Sequence, residues 1–252
     1  MENNSTTRFS NRVDDYAKYR PHYPPEIINF LQECCALNPD MQVADIGAGT
    51  GISTAPFLRA GYRVFAVEPN KEMRAKAVDD LGHYPAFIAV EGTAEQTGLD
   101  DSSIDVIVVA QAFHWFDLDK TKTEFRRILK EEGQVVLLSN QRLIETAFEI
   151  TYDTLIMKHA NKYVDPEARF GLADVSGFYS PFVAMKQTFR NKQDFNFEGL
   201  KGRLLSSSYM PVAGAEGYEP MMEDLQKVFN KYQVNGLVRI NYTTNLFAGR
   251  LK

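Results

Sequence analysis

The chain has 252 residues, 44% of them hydrophobic and 24% charged, with 28 Lys and Arg against 33 Asp and Glu for a net charge of −5. This is the composition of one soluble globular domain, with or without an inserted cap, and not of a disordered chain. It excludes the globally basic footprint of a protein that grips nucleic acid through phosphates, and no run of about 18 apolar residues exists to form a membrane span.

Met1–Arg12 is polar and lacks the apolar stretch of a secretory leader, so the cytoplasm is the expected location. The Pro-rich run Arg20–Pro25 precedes an expected covering helix, Glu26–Leu37. That helix holds the only cysteines, Cys34 and Cys35, which are expected to be buried. Their adjacency rules out a disulfide framework or a four-ligand zinc site, and no metal is expected. Strands are predicted at 43–46, 62–67, 87–90, 104–110 and 134–139, with helices at 52–59, 71–81 and 121–129. Strands separated by single helices imply βαβ units and a parallel sheet. The run 104–110 is the most apolar in the chain and fits a central strand buried on both faces. Beyond residue 140 the pattern predicts helices at 145–160, 200–208 and 219–232. It adds strands at 182–190 and 237–251, and a loop or short helix at 165–180. This half reads as the sheet's remaining strands with an inserted helical cap.

The most informative segment is Val43-Ala44-Asp45-Ile46-Gly47-Ala48-Gly49-Thr50-Gly51. Glycines leaving a strand permit positive φ and let a ligand approach bare backbone. The start of the next helix is expected to offer amides to a carboxylate or phosphate. A dinucleotide turn reads G-x-G-x-x-G, but here the third glycine falls one position early, at Gly51, and Ile52 follows.

With Asp45 two residues before Gly47, this segment resembles the first motif of the class I S-adenosylmethionine-dependent methyltransferases. The resemblance implies a doubly wound, seven-stranded, mostly parallel α/β sheet of Rossmann-like form with an inserted helical cap. It implies S-adenosylmethionine as cofactor, held by Asp45, Gly47, Ala48, Gly49 and Thr50. Glu68 stands where the family carries an acid on the ribose, and one carboxylate can accept from both hydroxyls of a diol. Pro69 and Met73 follow it. Thr93, Ala94 and Glu95 fall where the family contacts adenine, and Gln111 and Trp115 in the same crevice. The Arg127–Gln134 turn also resembles the family's, although Glu132 replaces its usual proline.

Tyr16–Pro24, the stretch Ala112–Asp117 and Ser206–Tyr209 resemble the small-molecule subgroup that includes trans-aconitate methyltransferase. That likeness makes Tyr16 part of a lid and gives Arg20 the cofactor's methionine carboxylate, which suits a forked donor. It divides the single domain 1–252 into lid and covering helix (1–37), cofactor core (40–140), further sheet elements with a cap over the acceptor (141–235) and a final antiparallel strand (236–252). His114 is the catalytic candidate, a general base if the acceptor must lose a proton, or else a hydrogen-bonded piece of scaffold. Trp115 reads as a pocket wall and Asp117 as a helix cap. Arg169, Arg190, Arg203, Tyr179 and Tyr209 are expected to close the acceptor pocket, Arg203 with 206–209 gripping a carboxylate. His22, His83 and His159 have no metal-ligand spacing, and Met221–Met222 reads as packing. The expected activity is in-line methyl transfer to a small molecule, with no nucleic acid or membrane as partner. A non-catalytic S-adenosylmethionine-binding protein and a nicotinamide-dependent oxidoreductase are the alternatives.

Overall fold

A computed structural model describes residues 13–161 and 172–252. Its strands are β1 (Gln42–Ile46), β2 (Arg63–Val67), β3 (Phe87–Val90), β4 (Ile104–Ala110), β5 (Leu129–Arg142), β6 (Met185–Phe195) and β7 (Val238–Arg250). They form one sheet in the order β3-β2-β1-β4-β5-β7-β6. β1 to β5 pair in parallel, while β7 lies antiparallel to both β5 and β6. The helices are α1 (Val13–Tyr19), α2 (Glu26–Cys34), α3 (Thr54–Arg59), α4 (Lys71–Leu81), α5 (Leu118–Ile128), α6 (Ala147–His159), α7 (Leu172–Tyr179), α8 (Phe197–Leu205) and α9 (Tyr218–Tyr232). This is the expected α/β architecture, with β4 at its centre.

Six of the seven β4 residues are buried, because helices cover both faces of the sheet. On one face Ile107, Val109, Val135 and Leu137 pack with Phe125 and Ile128 of α5 and with Phe178 of α7. On the other, Val43, Val106, Val108 and Val136 pack with Ile27 and Leu31 of α2 and with Phe57 of α3. A third core lies outside the sheet, where α6, α8 and α9 enclose Leu155, Leu200, Leu225 and the β7 residues Val238, Ile240 and Tyr242.

Several boundaries differ from expectation for tertiary reasons. β5 runs on past residue 139 because Ser139–Arg142 pair with residues 242–245 of β7, after β4 has ended opposite Leu138. At about 3.3 Å per residue that lifts the β5 end roughly 13 Å above the parallel strands, where the cap is built. β6 starts at Met185 rather than at 182, since its register is set by β7. α3 begins at Thr54, two residues later than expected. Cys35 is buried but Cys34 is exposed, on the outer side of the last α2 turn. Met221 is fully buried in the third core, as a packing residue should be. Residues 162–171, including Arg169, lie outside the described residues.

Candidate functional site

The carboxyl ends of β1, β2, β3 and β4 open onto one crevice, the place where open α/β sheets receive ligands. Gly47, Gly49 and Gly51 all take positive φ as the chain leaves β1. A methyl group on Gly47 would lie 2.7 Å from the Ala112 Cβ, and one on Gly51 would strike Leu81. The turn is therefore packed from both sides.

Four of its amides are bonded within the protein. Gly47 and Ala48 donate to the Val67 carbonyl at 2.9 and 3.1 Å, Gly51 donates to the Ala48 carbonyl at 2.9 Å, and Gly49 donates to Glu68 Oε2 at 2.9 Å. These four donors are spent on the Val67 carbonyl, on Glu68 and on the turn itself, and α3 is only six residues long.

Acids line the crevice instead. Glu68 is 8% exposed, and its Oε1 accepts from the Asn70 amide at 2.8 Å. Burial pushes its carboxyl up, opposed by the Asn70 and Gly49 amides and by Arg74. Each carboxylate oxygen keeps a further lone pair for a ligand hydroxyl. Asp45 is fully buried: Oδ2 accepts from Ser53 Oγ at 2.7 Å and from Thr54 Oγ1 at 2.6 Å, while Oδ1 has no partner. Burial, reinforced by the nearby Glu68 charge, raises Asp45 to about 6 against the pull of Thr54 and Ser53. The Thr50 hydroxyl is likewise buried without a partner. Two acids and two orphaned polar atoms suit a ligand bearing hydroxyls and positive charge, and they oppose a pyrophosphate.

The rest of the wall comes from the loops. Asn70 caps α4 by accepting from the Met73 amide at 2.8 Å, so Glu68-Pro69-Asn70 serves the turn and the helix together. Met73 is buried with its sulfur facing Gly49. Thr93 closes a tight turn with Gln96, and Glu95 accepts from the Asp117 amide at 2.9 Å, tying the loop after β3 to the loop after β4. Ala94 is buried in the core cluster that also holds Ile46 and Val67. Gln111 holds φ at +57° and donates through Nε2 to the Asn140 carbonyl at 2.8 Å. His114 and Trp115 sit half-buried on a single 3-10 turn (Phe113–Trp115) with ring centroids 4.7 Å apart. Asp117 caps α5, accepting from the Lys120 amide at 3.3 Å.

Above the crevice, Arg20 Nη2 donates to the Ser206 carbonyl at 2.9 Å, and its guanidinium lies 5.0 Å from the Tyr16 ring centroid. Tyr23 joins the two levels: burial pushes its phenol well up, helped by Tyr16 and Asp45 and opposed by Arg20. Arg203 donates to Tyr242 Oη at 3.2 Å and reaches Ser206 and Ser207. Two expectations fail here. Tyr179 is a core residue whose hydroxyl donates to the Val135 and Phe247 carbonyls, and Arg190 is exposed on the edge strand β6. Residues that sequence reasoning missed, Arg142, Tyr152, Asp153, Gln193 and Tyr242, complete the cluster. The available signal was Arg142, a cation placed just beyond an apolar strand end.

Residues 44–137 match the methyltransferase domain family. An uncharacterized methyltransferase of Mycobacterium tuberculosis is 40% identical over 135 residues, 53% of this chain and 52% of that protein, so the chain spans about half the length of that relative in the match. An uncharacterized methyltransferase of Schizosaccharomyces pombe is 31% identical over 247 residues, 95% of each chain. The structure of an Anaeromyxobacter dehalogenans protein assigned as a type II methyltransferase superposes with a TM-score of 0.67 at 22% identity, over 92% of this chain and 98% of that one. A phosphoethanolamine N-methyltransferase of Haemonchus contortus, solved with S-adenosylmethionine, superposes with a TM-score of 0.56 at 15% identity, over 97% of this chain and 57% of that one. The chain belongs to the class I S-adenosylmethionine-dependent methyltransferase family.

Among the described residues, no cluster of His, Cys, Asp or Glu is placed to hold a metal, and no helix is long and apolar enough to cross a membrane.

Proposed function

We propose that this protein binds S-adenosylmethionine in the crevice and transfers its methyl group to a small-molecule acceptor. The observation that carries the cofactor reading is Glu68, a nearly buried carboxylate anchored by the Gly49 and Asn70 amides with lone pairs left over for a ribose diol. Family membership and the cofactor seen in the Haemonchus enzyme support it.

When bound, the cofactor supplies an activated methyl on sulfur, so the chain's task is to align the acceptor and exclude water. Such positioning can contribute about 7–11 kcal/mol to lowering a barrier. In this reading the glycine turn admits the cofactor's backbone, Asp45 and Thr50 meet its polar groups, and Pro69 and Met73 flank Glu68. Thr93, Ala94 and Glu95 border the adenine, Gln111 and Trp115 form the opposite wall, and Arg20 with Tyr16 takes the methionine carboxylate. α1 and the Arg20–Pro25 segment close over the cofactor, while α6, α8 and α9 cover the acceptor. His114 accepts a proton where the acceptor must lose one.

Calorimetric titration with S-adenosylmethionine and S-adenosylhomocysteine tests the proposal. Micromolar binding of both is expected, weakened about 10- to 100-fold in Glu68→Gln, the range for losing a charge-assisted hydrogen bond. Absence of binding, or NADH binding in its place, refutes it.

A further inference from the structure

Burying a guanidinium costs several kcal/mol unless an anion compensates it. Three guanidiniums converge where α8, the extended β5 end and the chain after α1 meet. Arg142 is only 10% exposed and pairs with Asp153, itself 8% exposed. Arg203 and Arg20 lean on hydroxyls and a carbonyl. Among the described residues neither has a carboxylate partner, so the cluster holds three cations against one anion.

The unspent donors are the second observation. Arg142 Nη1, Arg20 Nε and the Tyr152 hydroxyl are buried without a hydrogen-bond partner, although Tyr152 is only 2% exposed. Orphaned buried donors of this kind are uncommon and call for a partner. Arg142 and Arg203 both act on Tyr152, so the orphans share one neighbourhood. Burial alone would raise the Tyr209 phenol, yet the charges of Arg20 and Arg203, together with a hydrogen bond from Ser207 and the Arg142 charge, bring it below its usual value. Among the described residues Asp153 is the one carboxylate paired within the cluster, which leaves it net positive.

We propose that Arg203, Arg142 and Tyr152 form an oxyanion subsite of the acceptor pocket, so that the methyl acceptor carries a carboxylate or phosphate group. The inference rests on the methyltransferase reading only for its assignment to an acceptor; the anion site stands on the cluster itself. Arg20, linked through Tyr23 to Asp45, lies on the cofactor side, whereas Arg142 and Arg203 meet at Tyr152 deeper in the cap. A guanidinium fork matches the planar two-oxygen edge of such a group.

Calorimetry on the full chain, free and saturated with S-adenosylhomocysteine, provides the test. Citrate and glutarate serve as carboxylate probes, inorganic phosphate as the phosphate probe and putrescine as a cationic control. At least one oxyanion is expected to bind in both states, more weakly as salt rises, while putrescine does not. The stronger probe class identifies the group. Arg203→Gln should weaken oxyanion binding about 10- to 100-fold with less than about a twofold change for S-adenosylhomocysteine. Tyr152→Phe, which leaves the packing intact, should weaken it by at least about threefold. Failure of every oxyanion to bind, or binding unchanged in both variants, overturns the subsite. Loss of S-adenosylhomocysteine binding alone would instead refute the cofactor reading.

Discussion

Gly47 lies where no side chain fits, since its φ is +71° and a methyl would meet Ala112 Cβ at 2.7 Å. Gly47→Ala combines a left-handed backbone cost of about 1–2 kcal/mol with overpacking of about 1–3 kcal/mol. Urea unfolding is expected to show a loss of about 2–5 kcal/mol. Asp45 gives a pH-dependent signature. Its folded value, about 6, exceeds the ordinary carboxyl value of 3.8, so folding favours the protonated form. The stability it contributes is complete below pH of about 4 and is lost as pH rises through about 6. Asp45→Asn keeps an acceptor for Ser53 and Thr54 without the charge. Its stability relative to the parent should climb by roughly 3 kcal/mol between pH 4 and 8, measured by urea unfolding at both. No such climb would mean that Asp45 keeps an ordinary carboxyl pKa. Residues of this kind were legible in the sequence, because a glycine after a strand and an acid before it announce local geometry. Arg142, Tyr152 and Tyr242 were not, since their meeting depends on strands far apart in the chain.

Elements fixed by local pattern fell where expected: α4, β3 and β4 match to the residue. Asn70 caps the first, and apolar runs bounded by polar turns define the other two. Elements fixed by pairing shifted, as β5 and β6 did when β7 set their ends. α1 was read only as part of a lid, because seven residues give too short a period for a helix to be recognised. Its anchor is Tyr19, packed so closely on Gly202 of α8 that a side chain there would overlap the ring. Gly202→Val should release α1 while leaving the sheet intact. Amide exchange across residues 13–19 is expected to quicken at least about tenfold, corresponding to a loss of roughly 1.4 kcal/mol or more of local protection, with protection of β4 unchanged. Equal loosening of β4 would show that α1 belongs to the global folding unit instead.

For the molecule as a whole, the parallel half presents acids to the crevice and the antiparallel half presents cations to the cap. Asp45 and Glu68 sit below, Arg142 and Arg203 above, in a chain whose net charge is −5. That division suits a sulfonium and hydroxyl-bearing ligand on one side and an oxyanion on the other, with transfer between them. The acidic crevice could be read from the chain because Asp45, Glu68 and the loops after β3 and β4 follow one another in a single stretch of alternating strand and helix. The cationic half is assembled from β5, α6, α8 and β7, and periodicity carries no record of such a meeting.

A crystal structure with S-adenosylhomocysteine bears most directly on the account. The ribose hydroxyls are expected on Glu68 and the thioether sulfur facing the Arg142–Arg203 cluster. A ligand bound away from the Gly47–Gly51 turn, or a ribose that leaves Glu68 untouched, would contradict it.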